Sequence, residues 1–193
     1  MRASIRPFAR VSFPAAAILI AFAAAALAQG APAYFGVTFP ESLQGARRGA
    51  VVDYETTGHP GLGYSAGYGH RDWKADVYVY DLRRPKISAD LSSPDVTSHF
   101  DQVVRDVSTP GLYSNVVAEK RFSIADGGGA LRFVCQSFSF THPQVGPSRS
   151  ALCLTSWRDK FVKIRLTAPG NGDATSAMRK FADDWTRILW PRA

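Results

Sequence analysis

One short segment carries the residue pattern of a serine hydrolase: Gly63-Tyr64-Ser65-Ala66-Gly67 matches the G-x-S-x-G signature of the nucleophile. In such enzymes the serine lies on a sharp turn between a strand and a helix, and a histidine backed by an acid activates it. The candidates for these partners are His70, His99, His142, Asp95 and Asp101. Because a strand rather than a helix is expected after Ser65, the sequence favours a chance match and a chain that is not an enzyme. A small serine hydrolase with Ser65 as nucleophile is the alternative function.

The same stretch also fits the G-x-G-x-x-A fingerprint of dinucleotide-binding proteins, at residues 61–66, with Asp81 further along the chain. That fingerprint requires a helix whose first amides face the pyrophosphate. Only residues 67–74 separate the fingerprint from the next predicted strand, which is too short a stretch for a crossover helix. We therefore expect no nucleotide and no other cofactor.

The four histidines give no pattern of metal ligands. His59, His70, His99 and His142 are scattered, and no two of them have the i, i+4 spacing of a helical zinc site. His59 and His70 flank a predicted hairpin and could approach each other, but histidines in turns are more often plain loop residues. We expect no metal site.

Aromatic residues cluster where one predicted strand ends and the next begins. Tyr64, Tyr68, His70 and Trp73 could together line a binding groove, since aromatic walls are typical of sites for sugars and peptides. The alternative is that Trp73 covers the edge of the hydrophobic core. The remaining tryptophans are core candidates: Trp157, Trp185 and Trp190.

The chain has 193 residues with 23 Lys and Arg against 16 Asp and Glu, a net charge of +7. Its apolar fraction of 46% excludes wholesale disorder. Basic residues gather in the run Arg83-Arg84-Pro85-Lys86 and on one face of a predicted strand, at Lys163 and Arg165. These are either solvated faces or surfaces that attract an anionic ligand or an envelope component. Nucleic acid is not an expected partner, because no stacking platform accompanies the charges.

The N-terminus has the three parts of a secretory signal peptide. Arg2, Arg6 and Arg10 precede an apolar run over residues 11–27, and Ala26-Leu27-Ala28 offers a cleavage site. The alternative, a retained anchor, is disfavoured because residues 15–28 are shorter than the ~20 residues that span a bilayer. We predict a cleaved signal at 1–28, a flexible tail at 29–33 and one domain at 34–193. The mature protein would be periplasmic or secreted.

Hydrophobic periodicity predicts strands separated by turns, with two helices. The predicted extended segments are 34–40, 47–57, 61–68, 75–82, 112–125, 130–141, 151–157 and 161–167. Two helices are predicted. The first, 94–108, begins after Ser93, and the second, 173–190, ends before Pro191. Because short turns join consecutive strands, the sheet must be antiparallel. We expect an α+β fold with about six to seven strands and the two helices packed on them.

Cys135 and Cys153 are the only cysteines, so an exported chain would pair them in a disulfide. If Thr141 faces Pro147 across a turn, the two cysteines lie directly opposite each other on neighbouring strands. A following turn at Asp159-Lys160 would place Cys153 opposite Leu166 and would leave Lys163 on the other face. Two buried free thiols are the alternative.

Several segments together resemble small exported bacterial proteins of unknown function: RGAVVDYE, GLGYSAGY, ADVYVYDL, SWRDKFVKIRLT and FADDW. The order of strands and helices is also similar to the PsbP/Mog1-like α+β sandwich. The resemblance implies a non-catalytic protein of the cell envelope and assigns no functional residue. We therefore predict an exported, monomeric binding or accessory protein.

Overall fold

The computed structural model describes residues 33–109 and 111–191. The predicted signal peptide at 1–28 and the predicted tail as far as residue 32 lie outside the described residues. Ala33, the last residue of that predicted tail, begins the first strand.

Among the described residues, eight strands form one antiparallel sheet, and two helices pack on it. In chain order the elements are β1 (Ala33–Tyr34), β2 (Val37–Thr38), β3 (Ser42–Leu43), β4 (Ala46–Asp53), β5 (Tyr64–Gly69), β6 (Lys74–Tyr80), α1 (Pro94–Val107), β7 (Ser114–Ala125), β8 (Leu131–His142), β9 (Gly146–Trp157), β10 (Lys160–Pro169) and α2 (Ala174–Leu189). The sheet runs β3-β4-β5-β6-β10-β9-β8-β7, and β1 and β2 pair separately. The predicted α+β fold is confirmed.

The strand count exceeds the prediction because the first extended segment is broken. Phe35 and Gly36 both take positive φ, 53° and 78°, which folds β1 and β2 into a tight hairpin. The two-residue strand β3 then adds to the edge of the large sheet.

The two helices pack on opposite faces of the sheet. Alternate residues of β10 belong to two separate buried clusters: Phe161 packs with the residues of α1, and Val162 and Ile164 pack with those of α2. α1 buries Val96, Phe100, Val103 and Val107, which is the apolar stripe expected from the sequence. The sheet is therefore covered on both sides.

Both helices begin at a side-chain cap. Ser93 accepts a hydrogen bond from the Val96 amide at 3.4 Å, and Pro94 occupies the first turn of α1. Asp173 accepts one from the Ser176 amide at 2.9 Å. The Ser93 cap is the start signal on which the prediction of α1 rests, whereas Asp173 was predicted as the first residue of the second helix.

The cysteines lie opposite each other on β8 and β9, as the predicted register requires. The same register pairs Thr141 with Pro147, and the two sulfur atoms lie 2.08 Å apart, at disulfide distance.

The predicted register of the next hairpin is wrong by two residues. Cys153 lies opposite Ile164 rather than Leu166, because the two-residue turn is Arg158-Asp159 and not Asp159-Lys160. Both turn residues have positive φ, 47° and 58°, the conformation that tight hairpins demand. A shift of two residues keeps every side chain on its predicted face.

Candidate functional site

A cavity of about 300 Å³ opens between α1 and the sheet, and we call it the tyrosine pocket. The sheet supplies tyrosine rings and a lysine, α1 supplies a histidine and an aspartate, and two turns supply leucines. The lining residues are Tyr54, Leu62, Tyr78, Tyr80, Leu82, His99, Val103, Asp106 and Lys163. Its mixture of apolar walls and a few polar groups is typical of small-ligand sites.

Lys163 is the one lysine that lines the pocket, and it lies against aromatic rings. Its Nζ atom is 4.4 Å from the ring centroid of Tyr78 and 5.7 Å from that of Tyr80. Within the described residues no carboxylate approaches this ammonium to within 4.0 Å. Burial lowers the pKa of Lys163, and Asp106 opposes that shift. The group is thus a half-buried cation without a direct counter-charge.

His99 is a neutral, hydrogen-bonded wall of the pocket. Burial, with help from the positive charges of Lys163 and Arg84, lowers its pKa to about 4. Its Nε2 atom lies 2.7 Å from the Tyr80 hydroxyl, whose own pKa is raised by burial. At neutral pH the hydroxyl therefore stays protonated and can donate to the imidazole.

A second cation follows two residues later on the same face of β10. Arg165 stacks on the ring of Tyr113 at 4.8 Å and on that of Phe140 at 5.6 Å. Its Nε atom donates a long hydrogen bond of 3.4 Å to the Ser150 hydroxyl, and its Nη2 atom is buried with no partner among the described residues. This part of the sheet is therefore positively charged and rich in aromatic rings.

A tight loop fixes the outer wall of the pocket. The Glu55 carboxylate accepts hydrogen bonds at 2.8 Å from the amides of both Gly61 and Gly63. Gly63 has a φ of 62°, and a Cβ atom there would lie 2.0 Å from the carbonyl oxygen of Val79. The glycines that resemble a dinucleotide fingerprint thus allow close contact between strands, and β5 follows them instead of a helix.

The sequence identified the basic pair but not the pocket. Lys163 and Arg165 are predicted to share a face, and they do, but that face is half-buried under α1 rather than solvated. The tyrosines reach Lys163 because β10 pairs with β6, which places Tyr78 opposite Lys163. The VYVY run at residues 77–80 indicated two tyrosines on one face of a strand. No signal in the sequence indicated that β6 pairs with β10, which lies far along the chain.

The four residues of the predicted groove lie in different surroundings. Tyr68 is fully buried against α2, where its hydroxyl donates to the Pro40 carbonyl at 3.1 Å. His70 and Trp73 stack on each other with their centroids 4.8 Å apart, whereas Tyr64 packs on Phe35 at 5.0 Å. Only the His70 and Trp73 pair is brought together, and the groove stays a prediction.

Ser65 lies within β5 and not on a turn before a helix. Its hydroxyl donates to the Tyr54 hydroxyl at 3.4 Å, and no histidine is among its hydrogen-bond partners in the described residues. His99 is bonded to Tyr80 instead. The arrangement lacks the geometry that activates a serine nucleophile.

The other candidates named from the sequence are dispersed over the surface and the core. His59 is exposed in a turn, and across residues 33–109 and 111–191 no three His, Cys, Asp or Glu side chains group closely enough to hold a metal ion. Arg83, Arg84 and Lys86 are all exposed, and Arg84 Nη1 lies 3.5 Å from Asp95 Oδ1. Each of the three core tryptophans packs with α2 or its cluster: Trp157, Trp185 and Trp190.

None of the described helices is both long and apolar enough to cross a membrane. No family model matches the chain. No curated protein matches it either.

Solved structures that are similar to the chain include the following two. One is the Ran-binding protein Mog1p of Saccharomyces cerevisiae, at 13% identity over 81% of this chain and 88% of that one, with a TM-score of 0.39. The other is PsbP (CyanoP) from Synechocystis sp. PCC 6803, at 15% identity over 80% of this chain and 95% of that one, with a TM-score of 0.38. The resemblance to PsbP and Mog1 stated from the sequence is thus confirmed as a similarity. At these TM-scores it carries no argument about function.

Proposed function

We propose that the chain is an exported binding or accessory protein of the cell envelope and that the tyrosine pocket holds a small anionic ligand. The observation that carries the proposal is the Lys163 ammonium, half-buried over Tyr78 and Tyr80 with no carboxylate of the described residues within 4.0 Å. Removing a cation from water costs free energy unless a counter-charge compensates it. An anionic ligand would supply that charge, and the pocket walls would hold its apolar part.

Export and a non-catalytic role belong to the same proposal. They are supported by the signal-like first 28 residues and by the cysteine pair, since disulfides persist in oxidising compartments. Cleavage after Ala28 would remove three arginines and lower the net charge to +4. The intact mass of the protein recovered from the envelope tests this part: the mass of residues 29–193 is expected, and the mass of the full chain would refute cleavage.

Binding is tested with two aromatic anions, 3-phenylpropionate and phenyl phosphate, by calorimetric titration of the purified protein. We expect both to bind and Lys163→Met to abolish or strongly weaken both interactions. Methionine retains the length of the side chain and removes the charge, so the fold should be kept.

Lys180→Met is the matched control, because Lys180 is an exposed lysine on α2. It should bind both anions as the unchanged protein does. Equal binding by Lys163→Met, or no binding of either anion at millimolar concentration, would contradict the proposed function.

A further inference from the structure

Two opposite charges face the tyrosine pocket from different walls. Lys163 lies on the sheet side, and Asp106 lies in the last turn of α1. The two side chains form no ion pair within 4.0 Å in the described part of the chain. Asp106 Oδ1 accepts a hydrogen bond from Gln102 Nε2 at 2.7 Å, whereas its Oδ2 atom accepts none from the described residues. Each charge thus keeps capacity for a ligand.

We propose that the tyrosine pocket binds a small zwitterion of the α-amino acid class, with its carboxylate toward Lys163 and its ammonium toward Asp106. This inference rests on the proposed function and deepens it, because it specifies which anion the pocket prefers. An ammonium group on the ligand is the new element.

The charges around the pocket favour a zwitterion over a simple anion. A purely anionic ligand is attracted by Lys163 but repelled by Asp106. A purely cationic ligand is attracted by Asp106 but repelled by Lys163. His99 contributes no charge at neutral pH, and Arg165 adds positive charge on the sheet side. Asp76 on β6 is already paired with Lys74 at 3.1 Å. A ligand with both charges would satisfy both walls.

The remaining walls suit an apolar side group. Leu62 and Leu82 are 45% and 37% exposed at the mouth, and Val103 is buried deeper on α1. With the rings of Tyr54 and Tyr78 they form surfaces for an aromatic or branched aliphatic group. About 300 Å³ lies at the lower end of ligand-pocket sizes, which limits the ligand to one residue rather than a peptide.

Three ligands that share a phenylethyl group separate the charges. L-phenylalanine carries both charges, 3-phenylpropionate carries only the carboxylate, and 2-phenylethylamine carries only the ammonium. In calorimetric titrations at neutral pH and low salt we expect L-phenylalanine to bind most tightly. The margin over 3-phenylpropionate should be about fivefold, the upper end of what one partly exposed charge contact supplies. We expect 2-phenylethylamine to bind most weakly.

Asp106→Asn tests the helix side of the pocket. This variant should lower the affinity for L-phenylalanine about fivefold. The affinity for 3-phenylpropionate should stay unchanged or rise, because the repulsion between Asp106 and the ligand carboxylate is removed. Asp101→Asn is the control: Asp101 lies on the same helix, but it pairs with Arg121 at 2.6 Å and lines another cavity. It should change neither affinity.

The outcomes separate this inference from the proposed function. Binding of 3-phenylpropionate that depends on Lys163 but equals that of L-phenylalanine would overturn the zwitterion and leave the anion site standing. An equal response of both ligands to Asp106→Asn would also overturn it. No binding of any of the three ligands at millimolar concentration would overturn both proposals.

Discussion

The two faces of the sheet are built from alternate residues of the same strands, and they differ in what they bury. The face under α2 holds fully buried rings, including Phe181 and Trp185, together with the cysteine pair. The face under α1 holds Lys163 and His99 beside a cavity. A closed apolar face stabilises a fold, whereas half-buried charges cost free energy. The larger closed core thus lies under α2, and the proposed binding pocket lies on the opposite face of the sheet, under α1.

The largest expected effect lies on the α2 face. Phe181 is fully buried and packs edge-on against Tyr68 and Trp73, with centroid distances of 5.3 and 5.5 Å. We expect Phe181→Ala to lower the free energy of unfolding by about 3–5 kcal/mol, through lost burial and a cavity. Urea unfolding measures it. A decrease of less than about 1 kcal/mol in the free energy of unfolding would contradict the comparison, because the α2 face would then contribute little stability.

The cysteine pair should give the next largest effect. Its sequence separation of 18 residues closes a loop for which the chain-entropy model gives about 3 kcal/mol. We expect the double variant Cys135→Ala, Cys153→Ala to lose about that much in urea unfolding. When the oxidised protein is unfolded without reductant, neither cysteine should react with a thiol reagent. Two reactive thiols in that assay would contradict the bridge.

His99 should make the α1 face sensitive to acid. Its pKa in the folded protein, about 4, lies below the 6.5 of a free histidine, so the unfolded chain takes up the proton first. The stability that neutral His99 provides is complete above about pH 6.5 and is lost as the pH falls toward 4. Because the side chain is partly exposed, we expect a loss on the order of 1 kcal/mol.

The measurement for His99 is the free energy of unfolding at pH 7 and at pH 5. His99→Gln should lose less stability between these two values than the unchanged protein. His59→Gln is the control, since His59 is exposed in a turn, and it should behave as the unchanged protein does. If His99→Gln had the same pH dependence as the unchanged protein, His99 would not be the group that responds to acid.

The smallest effect is expected at Ser65, which distinguishes a binding pocket from a hydrolase. Ser65→Ala removes one long hydrogen bond to Tyr54 and should change the free energy of unfolding by about 0.5 kcal/mol or less. The affinity for 3-phenylpropionate should not change. Labelling of the unchanged protein by a fluorophosphonate, absent from Ser65→Ala, would instead favour the hydrolase.

Local signals were sufficient to predict much of the fold. The cap at Ser93 and the apolar stripe through Phe100 predict α1, and the loop between Thr141 and Pro147 predicts the register of the cysteines. The register after Trp157 was missed because Arg158 and Asp159 are unusual residues for a tight turn. The register of a hairpin can thus be predicted from its turn only where the turn residues are ones that tight turns prefer.

The candidate site was harder to predict because distant strands build it. Lys163 meets Tyr78 only through the pairing of β10 with β6, and His99 arrives from a helix between them in the sequence. No local pattern specifies such a pairing. The predicted groove stays a prediction, but Tyr68 is a core residue, so aromatic residues that are close in sequence can lie in different surroundings.

The central claim is that ligand binds on the α1 face between Lys163 and the tyrosines, and nuclear Overhauser contacts test it most directly. The ring protons of bound L-phenylalanine or 3-phenylpropionate are observed against assigned side chains of the protein. We expect contacts to the rings of Tyr78 and Tyr80 and to the methyl groups of Val103. Contacts confined to the His70 and Trp73 side, or chemical-shift changes that spare the α1 face, would contradict the claim.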